Sequence, residues 1–375
     1  MGRDAIARNG FTMGFLSRRT IYQLSAHLAL VGAGMPQNGK SGANAPKKSR
    51  NKSGHARAVS RTAKRGNNGE GASRSRVRSG STRTSAFGVS KRESHDASEF
   101  YDSAMYRALP RESEVGSSVE LPDEFANRVV CHDARDMVVD GVKIPDNSVH
   151  LMVTSPPYNA SKTYDEDLDL SEYLGLLKGV FQECWRVLVP GGRACINVAN
   201  LGRKPYIPLA SFINQIMLEI GFMPRGEVIW NKSASAGVSC AWGSWKSASN
   251  PTLRDVHEYI LIFSKGKFKL NRTKAERAEG REDTIHKEEF MDWTKSIWSF
   301  PTESAKRVGH PAPFPVELPR RCLKLYSFSG DVVLDPFGGS GSTAVAAKQN
   351  GRRFIVFDIN EDYCSLAEQR IADEC

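Results

Sequence analysis

The 375-residue sequence has seven cysteines, an odd number, and no Cys-x-x-Cys pair. Neither a zinc ribbon nor a disulfide framework is written in it, and reduced thiols in an intracellular protein are the expectation. No metal site is expected. No apolar run approaches the roughly 20 residues of a membrane span, so a membrane is not an expected partner. The nearest thing to a secretory signal, residues 21–33, is interrupted by Gln23, Ser25 and His27. Acid is scarce early in the chain. Residues 1–98 hold 19 Lys and Arg against 4 Asp and Glu, and the remainder 33 against 38. The formal charge of +10 therefore sits wholly in the first quarter.

That quarter is also poor in large apolar groups. Residues 35–98 are Gly, Ser, Ala, Asn, Lys and Arg in low-complexity order, and they bury too little to offset the entropy of ordering. Residues 1–98 are read as a disordered basic arm. A solubilising tail and a phosphate-binding arm both suit the composition. The second is preferred because the rest of the chain is net acidic, and Lys and Arg release counterions from nucleic acid. Residues 1–34, with one acid at Asp4, read as solvated extension in preference to an organelle transit peptide. Residues 99–120 read as linker with one short helix, and 121–375 as the folded domain.

Within that domain, apolar runs at 128–131, 149–153, 194–198, 227–230, 259–263, 331–334 and 352–357 read as strands. Helical stripes fall at 171–188, with Ser171 as cap, at 209–220, closed by Gly221, and at 316–325. Trp185 lies on the first stripe and reads as core. Alternation of strand and helix predicts an α/β fold with a mainly parallel sheet. The runs at 227–230 and 259–263 have no helix between them and predict an antiparallel edge. Residues 265–305 read as charged and irregular.

Two stretches carry chemistry. After the strand at 331–334, Asp335-Pro336 is followed by Gly338, Gly339 and Gly341, then a helix capped by Ser342 or Thr343, a stop at Gly351, a second strand, and Asp358 at its end. Bare glycine backbone lets a ligand approach, and an acid at the second strand's end can hold two ribose hydroxyls. No lysine follows the glycines as a triphosphate-cradling loop requires, so a nucleoside without a triphosphate is the expected ligand. An ordinary Gly-rich turn would account for the glycines alone, but not for the flanking strand, helix and acid.

The other stretch is Thr154-Ser155-Pro156-Pro157-Tyr158-Asn159. Two prolines stiffen a loop at a strand's carboxyl end, where α/β sheets bind ligands. Tyr158 offers a flat face. The Ser155 hydroxyl and the Pro156 carbonyl offer acceptors for the two hydrogens of an exocyclic amine on a planar ring. That arrangement draws the nitrogen lone pair out of the ring and towards an electrophile.

The pair of motifs resembles the amino-methyltransferases of DNA, and their order, catalytic motif first and glycine motif last, resembles the beta group of that family. The resemblance covers about 121–372. It implies a Rossmann-like, S-adenosylmethionine-dependent methyltransferase fold, circularly permuted, with helices on both faces of a seven-stranded mixed sheet containing one antiparallel strand. Carried over to this sequence, it makes Ser155, Pro156, Pro157 and Tyr158 catalytic. It gives cofactor contacts to Phe337, Gly339 and Gly341, with Asp335 beside the methionine part, Asp358 on the ribose, Asp133 near the adenine ring, and Phe314, in His-Pro-Ala-Pro-Phe-Pro, at the methionine end. It sets Trp230, Asn231 and Lys232 beside a flipped base. Double-stranded DNA is the implied partner, and its target base must leave the stack. A cognate restriction endonuclease is a second implied partner. In a prokaryote the location would be cytoplasm and nucleoid.

Sequence readers are expected in 231–257 and 265–305. Trp242 and Trp245 suit stacking or wedging at the vacated base, and equally suit packing. Lys246 and Arg254 suit phosphate contacts. Serine before Pro-Pro-Tyr favours cytosine N4 as the methylated atom, with adenine N6 as the alternative. Methylation at cytosine C5 needs a Pro-Cys nucleophile, and the sequence has no such dipeptide. A nicotinamide-dependent oxidoreductase explains neither the Pro-Pro loop nor the arm. Intact Ser155, Tyr158 and Asp358 speak against a catalytically silent DNA-binding module. RNA is a further substrate to test, because unpaired bases need no flipping.

Overall fold

The computed structural model describes residues 82–83, 95–96, 101, 103–158, 168–202, 204–232, 243–304, 308 and 313–375. The chain divides into two units, Met1–Val77 and Arg78–Cys375, and every described residue belongs to the second. The basic arm thus lies outside the described residues, apart from Thr82–Arg83 and His95–Asp96, which pair in parallel. The linker has its one helical turn, Ala104–Arg107. Its second half is docked on the domain: Ser113 N–H donates to Gly266 O and Val119 N–H to Asn147 O.

The core is one eight-stranded sheet. Its strands are β1 (Arg128–Cys131), β2 (Val149–Thr154), β3 (Leu188–Val198), β4 (Met223–Asn231), β5 (His257–Ser264), β6 (Ile297–Ser299), β7 (Val332–Asp335) and β8 (Arg353–Asp358). They lie in the order β6-β4-β5-β3-β2-β7-β8-β1. Only β5 runs against its neighbours, pairing antiparallel with β4 and β3. The seven strands read from sequence are all present. The eighth is β6, parallel to β4, so the β4–β5 hairpin is not the edge. Residues 265–305 are less irregular than expected, because this segment also carries the helices Lys274–Ala278 and α3 (Lys287–Trp293). Trp293 and Trp298 are buried here.

Helices cover both faces. One core cluster packs α1 (Leu170–Val187) and α2 (Leu209–Ile220) against Val149, Met152, Ile196 and Leu334. The other packs α4 (Glu317–Tyr326) and α5 (Ser342–Gln349) against Leu151, Val153 and Val333. The last helix, α6 (Glu361–Glu374), contacts α5, β8 and β1. Apolar strands buried on both faces follow from this sandwiching. Trp185, read as core, is half-buried at the margin of this cluster and packs edge-on against Phe222 at 4.8 Å.

Two helix starts differ from expectation. Asp169, and not Ser171, caps α1, because Asp169 and Glu172 exchange side-chain and backbone hydrogen bonds in a capping box. At α5 the N-cap is Gly341. The Ser342 hydroxyl goes to Phe314 O and the Thr343 hydroxyl to Asp335, so neither is spent on capping. Pro190, Gly191 and Gly192 lie inside β3. Gly191 sits at φ 82°, where a Cβ would lie 2.2 Å from Lys269 O, so the position demands glycine.

Candidate active site

The crossover after β2 runs through α1 on one face, and that after β7 through α5 on the other. The switch point of the sheet therefore lies between β2 and β7, where open α/β sheets bind ligands. The two sequence motifs leave from these two strand ends. Thr154 and Asp335 join them: Thr154 Oγ1 donates to Asp335 Oδ1 at 2.6 Å, and Thr343 Oγ1 to Oδ2 at 2.7 Å. Phe337 N–H completes the set at 3.1 Å. Asp335 is fully buried, and burial pushes its carboxyl up to about 6 against those hydrogen bonds. It lies beneath the cavity and does not line it. Gly341 is likewise absent from the lining. Its φ is 75°, and a Cβ there would come within 2.9 Å of Ala367 Cβ, so the glycine lets α5 and α6 meet.

Above this joint opens a cavity of about 450 Å³, of the size that holds small-molecule cofactors. Its glycine end is lined by Asp133, Phe314, Phe337, Gly339 and Asp358. Asp358 accepts Gly339 N–H at 2.8 Å and Asn360 N–H at 2.9 Å, one on each oxygen. Each oxygen keeps a lone pair for a hydroxyl donor. Burial raises the Asp358 carboxyl, and the backbone N–H groups oppose that. Asp133 lines the cavity with both oxygens on Arg135, at 2.5 and 2.9 Å for Oδ2. That guanidinium holds the Asp133 carboxyl below its ordinary value. Ile359, 71% exposed, follows Asp358 and adds an apolar face. Two aromatic rings, an apolar side chain, bare glycine backbone and a hydroxyl-ready carboxylate fit a ligand made of a nucleoside and an amino acid.

The other end is lined by Ser155, Pro156, Pro157 and Tyr158, with Asn197, Trp230, Glu258 and Thr302. Tyr173 donates to Pro157 O at 2.7 Å and braces the loop. Ser155 Oγ and Tyr158 Oη are 3.2 Å apart. Tyr158 also meets Glu258 Oε2 at 3.3 Å, and Asn197 Nδ2 meets the same oxygen at 2.6 Å. Burial first, then the charge of Glu258, hold the Tyr158 phenol protonated, well above its ordinary value. Trp230 is 2% exposed. It stacks on Phe300 with centroids 5.1 Å apart, and its Nε1 donates to Phe300 O.

Lys232 turns to Glu258 Oε1 at 2.5 Å, and Asn231 pairs with His257 in the β4–β5 ladder. Neither lines the cavity. Trp245, 62% exposed, Lys246 and Arg254 stand on the connection between β4 and β5, away from the lining. Trp242, Asn159 and His310 lie outside the described residues.

Sequence reasoning passed over Asn197, Glu258, Arg135 and Tyr173. Asn197 is a polar residue inside an apolar strand run, but nothing local marks its partners, and Glu258 stands just outside the run at 259–263.

The family model described as N6/N4 DNA methylase matches residues 149–369, more than half of the chain. The Type II methyltransferase M.MthZI of Methanothermobacter thermautotrophicus is 32% identical over 259 residues, 61% of this chain and 73% of that protein. M.MjaI of Methanocaldococcus jannaschii, also a Type II methyltransferase, is 32% identical over 285 residues, 65% of this chain and 91% of its own. Among solved structures, TTHA0409 of Thermus thermophilus, assigned as a DNA modification methylase and complexed with S-adenosyl-L-methionine, aligns with a TM-score of 0.53 at 33% identity. That alignment covers 66% of this chain and 93% of the other. The matched span holds both motif-bearing strands and all of the cavity lining except residues 132–135, and the chain belongs to the N6/N4 DNA methylase family.

Proposed function

We infer that the chain methylates the exocyclic N4 amine of cytosine in double-stranded DNA. One observation carries this reading: the Ser155–Tyr158 loop and the glycine–acid cradle open into a single cavity. The cofactor is S-adenosylmethionine, which supplies the methyl group when bound at the glycine end. There Asp358 takes ribose hydroxyls, and Phe337, Phe314 and Ile359 flank the ligand.

At the other end Tyr158 stacks on the base, and the Ser155 hydroxyl and the Pro156 carbonyl accept the amine hydrogens. The nitrogen lone pair then leaves the ring plane and faces the methyl. The base reaches this pocket by leaving the duplex, at a cost of a few kcal/mol in unstacking. Trp242 and Trp245 are assigned to the vacated position, and Lys246 and Arg254 to phosphates. Lys232 acts from behind the pocket through Glu258, Asn231 from the adjoining end of β4, and Thr302 brings segment 265–305 to the base. A restriction endonuclease with the same recognition sequence is the partner that Type II relatives suggest.

Serine before Pro-Pro-Tyr supports cytosine. The test is direct. Purified protein, labelled S-adenosylmethionine and duplex DNA from a methylation-free host are incubated, and the DNA is digested to nucleosides for mass identification. N4-methyldeoxycytidine is expected. Label on deoxyadenosine alone overturns the cytosine assignment, and label on neither base overturns the reading as a whole.

A further inference from the structure

Because β5 runs against its neighbours, its first residues, and not its last, reach the sheet edge where Ser155 sits. Glu258 is one of them. Its oxygens are divided: Oε1 meets Lys232 Nζ at 2.5 Å, while Oε2 takes Asn197 Nδ2 at 2.6 Å and the Tyr158 hydroxyl at 3.3 Å. A carboxylate has no proton to give, so every group around it must donate. This fixes the direction of each bond in the cluster.

Asn197 must turn its nitrogen to Glu258, and its Oδ1 is left among the buried atoms without a partner. The Tyr158 proton goes to Glu258, so the Tyr158 oxygen is an acceptor. Ser155 Oγ lies 3.2 Å from that oxygen and 3.3 Å from Asn197 Nδ2. Asn197 can only donate there, as it does towards the Tyr158 oxygen at 3.4 Å, so it offers a hydrogen to a serine lone pair; with the Tyr158 proton on Glu258, the Ser155–Tyr158 bond is made by the serine proton. Among the described residues nothing takes the second lone pair. A hydroxyl, by nature able to donate or accept, is left with acceptance alone.

We propose that Glu258 is a positioning residue that sets the hydrogen-bond polarity of Ser155. It acts through Tyr158 and Asn197, and it makes the base end of the cavity a reader of exocyclic amines. A base with a carbonyl in that position, such as thymine or uracil, meets an acceptor facing an acceptor. The choice of substrate rests on the methyl-transfer reading above, while the polarity itself does not.

The test uses Glu258→Gln, which keeps the size but can donate, and Tyr158→Phe, which removes the relay. Full-length protein carrying tyrosine labelled with carbon-13 at Cζ is compared without cofactor or DNA. The resonance missing from Tyr158→Phe identifies Tyr158. In Glu258→Gln it is expected to move upfield, because the charged acceptor is gone. In single turnovers on DNA from a methylation-free host, each variant is expected to be at least about tenfold slower. Cofactor affinity by calorimetry should stay within about twofold of wild type. The double variant should be no slower than the slower single one, since both cut the same relay. A side chain that only braces the fold would lower the melting temperature and cofactor affinity together.

An unmoved Tyr158 resonance, a Glu258→Gln rate equal to wild type, or losses that multiply in the double variant overturns the inference. A wild-type protein that methylates no DNA sinks the substrate reading instead, and the Tyr158 resonance then decides the polarity by itself.

Discussion

Ser155 and Asp358 face opposite ends of one cavity, so their variants should fail differently. Ser155→Ala removes an acceptor of the amine and should slow single-turnover methyl transfer by about tenfold, the worth of one neutral hydrogen bond, with cofactor affinity kept. Asp358→Ala should weaken cofactor binding, read by calorimetry, far more than it slows transfer at saturating cofactor. Asp335 sits between them and gives a pH signature. Its carboxyl stands at about 6, above the ordinary 3.8, so between these values the folded protein holds the proton more tightly than the unfolded chain. Unfolding releases that proton, and the contribution to stability falls as pH rises from about 4 to 6, by about 3 kcal/mol. Asp335→Asn should remove that slope from a series of thermal melts while the rest of the pH profile persists. Ser155, Tyr158 and Asp358 were legible because local sequence carries their motifs. Asn197 and Glu258 were not, since they become neighbours of Ser155 only when β3 and β5 pair. Asp335 and Gly341 were legible as important, but not the packing that uses them. Their spacing resembles a ligand contact, whereas burial turns one to Thr154 and helix packing claims the other.

The glycine loop acts as a piece of packing as much as a cradle. A Cβ on Gly338 would lie 2.0 Å from Val356 Cγ1 and 3.2 Å from Phe357 O. Gly338→Ala should therefore push the loop off β8 and cost about 1–3 kcal/mol in thermal or denaturant unfolding. Cofactor affinity should fall with it, because Gly339 N–H is tied to Asp358. Long periodic helices and most apolar strands were read within a few residues of their true ends, whereas β3 starts at Leu188, well before the run read at 194–198. The eighth strand was not read. Ile297–Ser299 has three residues between charged segments, and no pattern of so short a run reveals pairing. What holds β6 is tertiary: Trp298 buried at 1% exposure, with Trp230 stacked on Phe300 just beyond it. The cap of α1 was missed for a local reason. The sequence Asp-Leu-Ser-Glu offers two caps, and only the reciprocal bond between Asp169 and Glu172 decides.

At the scale of the whole chain, charge is segregated. The 19 Lys and Arg of residues 1–98 stand against a remainder with 38 acids and 33 bases. If that segment binds phosphates, its deletion should weaken binding to all duplexes alike and flatten the dependence of log K on log salt by about 0.9 per lost phosphate contact. The modified sequence should not change. An unaltered slope in a salt titration of binding would leave the segment as a tail.

The joint between Thr154 and Asp335 spans 181 positions of sequence, and this has a consequence for a cell making the protein. A ribosome delivers the Pro-Pro-Tyr loop long before the glycines and Asp358. A chain interrupted anywhere in between carries the Pro-Pro-Tyr loop without the glycine loop, and Thr154 has no carboxylate to anchor it. Such fragments cannot modify DNA. Methyl transfer by this protein therefore waits until the glycine loop and Asp358 have been made.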